Sequence, residues 1–225
     1  MLILAIDTSS SAGSIAVLRD RQVIGMVATD SEETYSSRLF RELRALLDEL
    51  HLTLPEIDLY AVASGPGSFT GLRVGLSAVK GFAEIHGKPV APVSVLEAIA
   101  AASGRVGRIA AVMDARRGQL YGGVFDVGEE VELRGDEIVA EPRELLEHLE
   151  KELDAGPRWI ATPTPGVLEG LLPHGVSVQA VARALAEVIG QRGLAKYRHG
   201  RAISALELDA NYVRRSDAEL LWKGK

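Results

Sequence analysis

Residues 2–7 (LILAID) are apolar on both faces and end in a carboxylate, the pattern of a strand buried on both sides. After a polar turn at Thr8–Gly13, SIAVLRD (14–20) and QVIGMVAT (22–29) alternate well enough to predict two more strands, joined by a tight turn at Asp20 and Arg21. From Glu32 the period changes. Leu39, Phe40, Leu43, Leu46, Leu47 and Leu50 recur at three and four, which predicts an amphipathic helix, capped by Ser31 and ended before Pro55. LYAVAS (59–64) predicts another buried strand that runs straight into SGPGSFTGLRVGLSAVKG (64–81), and Leu72–His86 reads as a helix stopped by Gly87, Lys88 and Pro89. A short strand (89–94) and a helix (95–102) complete the first half.

SGRVGR (103–108) reads as a boundary, dividing the chain into lobes 1–103 and 104–225. RIAAVMDARRGQLYGGVFDV (108–127) then predicts an apolar strand ending in Asp114, a polar turn and a return strand. This repeats the opening, where an apolar strand also ends in an Asp, and so points to an internal duplication. A helix is expected at Pro142–Leu153, a strand at RWIAT (158–162) and a helix at Ser177–Gln191. The last residues, SDAELLWKGK, predict one or two closing helical turns, and the C-terminal segment is open to packing back on the first lobe.

Composition narrows the class. With 225 residues, 47% apolar and 25% charged, the chain can bury a core and needs no membrane. A formal charge of −6 disfavours a broad nucleic-acid-binding face. The chain has no cysteine, which excludes disulfides, thiolate metal sites and cysteine nucleophiles. The start lacks a basic n-region, so the cytoplasm is the expected location.

The glycine block fails both phosphate templates. No Lys follows a glycine in P-loop register, and Gly65 and Gly67 are followed by Thr70 where a dinucleotide fingerprint needs its third glycine, Gly71 coming one place late. What remains is a glycine turn at a helix N-terminus, a generic anion site, or a row (Gly71, Gly75, Gly81, with Ser77 and Ala78) that lets another element come close. Glycines inside a helix cost about 1 kcal/mol each, and close packing is the better-supported offset. Asp7 has two readings: it holds a Mg-nucleotide or nucleophile, or it caps the turn amides of residues 9 and 10.

Asp114 with Arg116 and Arg117 reads as a solvated turn. His51, His86, His148, His174 and His199 are scattered without metal-ligand spacing, so no metal site is expected. Ser36 and Ser37 lack a nucleophile-elbow context. The basic cluster Lys196, Arg198, His199, Arg201, Arg214, Arg215, Lys223 and Lys225 reads as solvated surface, with contact to RNA phosphate or an acidic partner as a second reading.

LILAIDTSSSAGSIAVL, SGPGSFTGLRVGLSAVKGFA, VMDARRGQLYGGVFD and NYVRRSDAEL together resemble, in order and along the whole chain, the bacterial TsaB (YeaZ) family of the tRNA threonylcarbamoyladenosine machinery. The resemblance implies an α/β fold of the actin-like, Hsp70-like (ASKHA) type, with two lobes, each a five-stranded mixed sheet with flanking helices. It implies a non-catalytic subunit that pairs with TsaD, the catalytic paralogue. TsaE and a threonylcarbamoyl-adenylate synthase serve the same pathway, whose product is threonylcarbamoyl on N6 of adenosine 37 in ANN-decoding tRNAs. TsaD holds its metal through H-x-x-x-H; the comparable stretch here, EETYSSRLF, has Tyr35 and Ser36 and no histidine before His51. In the second lobe, Pro163 and Pro165 occupy the turn where actin-like folds pass the adenosine through glycines, and they remove amide donors.

The resemblance further places the partner contact on the first two helices, Thr34–Leu50 and Leu72–His86. The interface residues it implies are Tyr35, Leu39, Phe40, Leu43, Leu46, Leu47, Leu72, Gly75 and Val79, and the glycines then serve close packing at and beneath that interface. Asp7, Thr8, Ser9, Gly65 and Gly67 keep the look of an ancestral phosphate loop, and ATP or ADP at the interface with TsaD is the only cofactor expected. Self-association as a homodimer is expected when the partner is absent. The alternative is a stand-alone actin-like ATPase or small-molecule kinase using Asp7.

Overall fold

The computed structural model describes residues 1–30, 33–153 and 158–214. The expected Ser31 cap, the closing helical turns, Arg215, Lys223 and Lys225 lie outside the described residues. The chain forms two units, Met1–Ala98 with Arg183–Ala210, and Ile99–Ala182 continuing from Asn211.

In the first unit, β1 (Leu2–Asp7), β2 (Ala12–Arg19), β3 (Gln22–Asp30), β4 (Leu59–Gly65) and β5 (Val90–Ser94) form one sheet in the order β3-β2-β1-β4-β5. The pairs β1–β2 and β2–β3 are antiparallel, while β1–β4 and β4–β5 are parallel. The apolar runs of β1 from Ile3 onward and of β4 are buried, as strands covered on both faces require. Between β3 and β4 lies α1 (Tyr35–Glu49), between β4 and β5 lies α2 (Phe69–His86), and α3 (Val95–Ala102) follows β5.

The second unit repeats this plan. β6 (Gly107–Asp114), β7 (Leu120–Val127), β8 (Val131–Ala140), β9 (Arg158–Thr162) and β10 (Val176–Ala180) form a sheet in the order β10-β9-β6-β7-β8, with the same two antiparallel and two parallel pairings. Its core is built from Val112, Val124 and Ile160 of the sheet against Leu145, Leu146 and Leu149 of α4 (Pro142–Glu152). The expected duplication is therefore a duplicated topology. The counterpart of α2 has shrunk, so that only a 3-10 turn at Pro165–Leu168 stands between β9 and β10.

Two sequence expectations are corrected, and one strand is new. The helix read at Ser177–Gln191 is strand β10 followed by α5 (Ala186–Arg198), because Val176 and Val178 pack against the second core at strand spacing. Strand β8 has no counterpart among the expected elements: VELRGDEIVA is an edge strand, largely exposed and broken by Gly135 at φ +64°. The boundary near 103–108 moves to Ala98/Ile99, and Arg183–Ala210 returns to the first unit.

The reason for that return is a close helix-on-sheet contact. A Cβ at Gly193 would sit 2.6 Å from the Cβ of Ala61, and one at Gly190 would sit 2.4 Å from Leu18, so α5 lies lower on the sheet than any side chain allows. At its far side α5 is held by a buried carboxylate: Glu97 receives Arg192 at 3.0 Å and Lys196 at 2.9 Å. No described helix is long and apolar enough to cross a membrane.

Gly193→Val should lower stability by about 2 kcal/mol or more, since the opposing Ala61 Cβ is fixed to its strand and cannot swing away. In a chain of this size that is a fall of roughly 4–8 °C in Tm, read by thermal melting, whereas an unchanged Tm would show that α5 is not seated on β4.

Candidate functional site

Asp7 ends β1 and is buried, and the turn after it is closed by its own carboxylate. Oδ1 accepts from the Ser9 amide at 2.9 Å and from Ser9 Oγ at 2.6 Å. These are the contacts of a turn cap, made through one oxygen, with the Ser9 hydroxyl standing in for the expected amide of residue 10. Oδ2 is buried with no hydrogen-bond partner. Burial pushes the Asp7 carboxyl above its ordinary value, against the opposing pull of the two Ser9 hydrogen bonds.

The glycine block lies directly on this turn. A Cβ at Gly67 would meet the Ser9 carbonyl at 2.6 Å, one at Gly71 the Thr8 carbonyl at 2.1 Å, and one at Gly75 the Thr8 hydroxyl at 2.3 Å. The Ser68 amide donates to the Ser9 carbonyl at 2.7 Å, and Ser68 Oγ caps α2 by accepting from the Gly71 amide at 3.2 Å. The structure therefore brings Asp7, Thr8, Ser9 and Gly67 together as a packed joint, while Gly65 ends β4 at φ +122° beside Ser94. The glycine row serves close approach of backbone to helix.

Two side chains from α1 complete the joint. Tyr35 lies over Gly13, where a Cβ would overlap its hydroxyl, and donates to the Ser10 carbonyl at 2.7 Å. Its phenol is pushed up to about 12, chiefly by burial, with the nearby Arg38 charge acting the other way. Arg38 is buried. It donates through Nη2 to the Ser11 carbonyl at 3.0 Å and through Nη1 to the Thr29 carbonyl at 3.1 Å, and its guanidinium stands 4.2 Å over the Tyr35 ring. Neither residue is marked for this use in the sequence; an Arg on the apolar stripe of a helix, one place before Leu39, is the available signal.

The expected interface residues divide sharply by burial. Leu39, Leu43, Leu46, Leu47, Leu72, Val79 and Gly75 are all buried within the first unit, so as free surface they are corrected: they form its core. Tyr35 is half-buried and committed to Ser10. Phe40, 54% exposed, remains outside the core. Its ring meets Phe82 edge-on at 6.2 Å, and Phe82 in turn lies 6.0 Å from Tyr60. Beside them on α2, Ile85 is 77% exposed, and a Cβ at Gly81 would touch nothing within 4 Å. Ile85 falls off the inward stripe Leu72-Leu76-Val79-Ala83, which is how the sequence could have marked it.

Asp114, the second-unit counterpart of Asp7, repeats the capping device: its Oδ1 accepts from the Arg116 amide at 2.7 Å. Among the described residues no helix closes over this turn. Arg116, Arg117 and Gly118 stand exposed at φ +61°, +56° and +74°, a left-handed conformation that costs about 1–2 kcal/mol for each residue with a Cβ. Among the described residues no group of three or more His, Asp or Glu is placed to hold a metal ion.

A family profile described as "TsaD: tRNA N6-adenosine threonylcarbamoyltransferase" matches residues 13–195. The tRNA threonylcarbamoyladenosine biosynthesis protein TsaB of Bacillus subtilis (strain 168) is 39% identical over 127 residues, a match spanning 56% of this chain and only 55% of that protein. The TsaB protein of Escherichia coli (strain K12) is 29% identical over 233 residues, covering 99% of this chain and 97% of its own. The solved structure of YeaZ from Pseudomonas aeruginosa superposes with a TM-score of 0.81 at 28% identity, covering 94% of this chain and 99% of that one. A ROK family protein from Streptococcus pneumoniae, at 9% identity and a TM-score of 0.52, shares the fold alone.

Asp7 gives a pH test with a definite sign. Between its ordinary value of 3.8 and the raised folded value, the folded chain holds a proton that the unfolded chain has released, so stability falls as pH rises through that window. Asp7→Asn keeps an acceptor for Ser9 but cannot ionise. Its Tm relative to the parent should climb as pH is raised from about 4 to 7; a difference flat with pH would mean that Asp7 titrates alike in both states.

Proposed function

This chain belongs to the TsaB (YeaZ) family of tRNA threonylcarbamoyladenosine biosynthesis proteins, with an actin-like two-lobed fold, and we propose that it is the non-catalytic subunit that binds and activates a TsaD-type threonylcarbamoyltransferase. On this reading the outer face of α1 and α2 is the docking surface. A TsaE-type ATPase joins the resulting cytoplasmic complex, tRNA is met through that complex, and the chain self-associates when its partner is absent. ATP or ADP is held only at the shared interface.

The observation that carries the reading is the apolar ridge of Phe40, Phe82 and Ile85 beside an open glycine. Most of the leucines of α1 and α2 are used up inside the unit, yet Phe40 and Ile85 remain in water. Gly81 sits within a helix, where it costs about 1 kcal/mol against Ala, and no neighbour in its own unit needs the space. A helix from another chain approaching along Gly81 would use that space and cover the flanking aromatic and aliphatic groups. The non-catalytic side of the reading is supported by α1, which carries no histidine where TsaD-type proteins place their metal pair.

The test mixes the purified chain with the TsaD-type protein of the same organism and measures mass by size exclusion with light scattering, with and without ATP. A one-to-one complex that transfers threonylcarbamoyl, from a chain that alone neither transfers it nor hydrolyses ATP, is expected; turnover by the pure chain would overturn the reading. Phe40→Glu and Ile85→Glu should each weaken association by about 2 kcal/mol or more, roughly thirtyfold, with the fold intact. Gly81→Ala should raise the stability of the isolated chain by about 1 kcal/mol and still weaken the complex.

A further inference from the structure

The face that carries Phe40, Phe82 and Ile85 is wider than α1 and α2 alone. In the sheet order β3-β2-β1-β4-β5, α1 packs on β3 and on α2, while α2 lies over β4 and β1. The flank of α2 toward the β5 edge is taken by a third element. After α5 the chain runs along that edge, where the Val90 amide donates to the Ile203 carbonyl at 2.9 Å and the Ile203 amide to the Val90 carbonyl at 2.8 Å. It then forms a 3-10 turn, Ala205–Glu207, that packs against α2. Helices α1 and α2 and this turn therefore stand side by side, in that order from the β3 side to the β5 edge.

The turn is firmly built. Glu207 Oε2 accepts from the Ser204 amide at 2.9 Å and from the Ser204 hydroxyl at 2.7 Å, the reciprocal arrangement of a capping box. Ala205 and Leu208 are buried, yet Leu206 between them is 83% exposed. The capping box and the two buried neighbours hold the turn without any need for a leucine there. Among the described residues of the first unit, the exposed large hydrophobic side chains are Phe40, Ile85, Tyr197 and Leu206. Tyr197 belongs to α5 on the other face of the sheet; the rest fall one to each element of this row.

On α2, Gly81 lies opposite the buried stripe Leu72-Leu76-Val79-Ala83, and Ile85 falls between Gly81 and Phe82, the residue that meets Phe40 of α1. Phe40 and Ile85 thus wall Gly81 on the α1 side only. Leu206 stands on the β5 side, where it completes a shallow groove with the open glycine as its floor. From this arrangement we propose that Leu206 is an anchor of the docking surface, so that the segment returning from the second unit takes part in recognising the TsaD-type partner. The proposal rests on the assembly reading above. Its occupant is an apolar helix of that partner, which lies along Gly81 on the face already assigned to docking and is gripped by Phe40 and Ile85 from one side and Leu206 from the other.

The test titrates the full chain and its variants with the TsaD-type protein of the same organism by calorimetry, alongside thermal melting and light scattering of each chain alone. Leu206→Glu should leave the Tm unchanged and weaken association roughly tenfold or more, with a smaller loss for Leu206→Ala. Leu206→Asn, which is polar but uncharged, gives the same reading should the carboxylate lower the Tm. Tyr197→Glu, on the opposite face, should leave association unchanged, which separates an anchor from a general effect of added charge. Association weakened by Ile85→Glu but not by any Leu206 variant would overturn the proposal and leave the assembly reading standing. A loss confined to self-association of the chain would also overturn it, by assigning Leu206 to contact with a second copy. Failure of the parent chain to bind the TsaD-type protein at all would overturn both.

Discussion

The seating of α2 on the Thr8–Ser9 turn is the contact on which the first unit depends. With a Cβ at Gly71 the helix would have to retreat from a backbone carbonyl 2.1 Å away, and no side-chain rotation could relieve that. Because α2 is seated so low, Tyr60, Phe82 and Phe40 line up from sheet to surface, and the outward side of the helix is left with Gly81 and Ile85. On the opposite face α5 is seated the same way, through Gly190 and Gly193 against Ala5, Ala61 and Leu18. The sheet is thus gripped from both sides at glycine-limited distances. Small residues on the strands are part of that grip, since Ala5, Ala61 and Ala91 lie where larger side chains would lift α5 away.

The duplicated topology makes the two units a natural comparison, and they differ in the element after the fourth strand. In the first unit that position holds an eighteen-residue helix, which buries the turn after Asp7. In the second it holds a four-residue 3-10 turn, and the turn after Asp114 stays in water. The Asp device is the same in both, a carboxylate accepting from the amide two residues on. Burial decides its meaning. At Asp7 the device is a permanent joint between strand and helix, whereas at Asp114 it shapes a hairpin whose tip stays in solvent.

Much of this was legible in the sequence because each strand or helix carried its own period. Buried strands β1 and β4, the stripe of α1 and the strand–Asp–turn repeat at Asp7 and Asp114 could be read directly. The misreadings have one physical source, which is that burial is a tertiary property. Apolar residues from 176 to 191 fit a helical period as well as a strand followed by a helix, and only packing of Val176 and Val178 on the second core separates them. Charged β8 forms because it pairs with β7, not because its own composition asks for a strand. The leucines of α1 and the apolar face of α2 matched both a core and an interface. Their burial assigns them to the core, leaving Phe40, which the sequence named, and Ile85, which it did not. The positive φ angles at Arg116 and Arg117 had no sequence signal, since arginine gives no hint of a left-handed backbone.

Orientation of the outer face depends on a polar element that at first looks like a liability. A buried arginine is costly unless its donors are met; Arg38 meets the Thr29 and Ser11 carbonyls with Nη1 and Nη2, while its buried Nε has no hydrogen-bond partner. Apolar contacts are non-directional, so they fix the angle of an amphipathic helix less sharply than hydrogen bonds do. Two directional hydrogen bonds to backbone on either side of β2 fix that angle, and Tyr35 adds a third on Ser10. The azimuth of α1 is therefore set by its polar buried residues, and Phe40, two residues beyond Arg38, is held at one angle on the surface. A surface meant for solvent gains nothing from such fixing; one meant to fit another helix avoids the entropy of aligning its anchors when it binds.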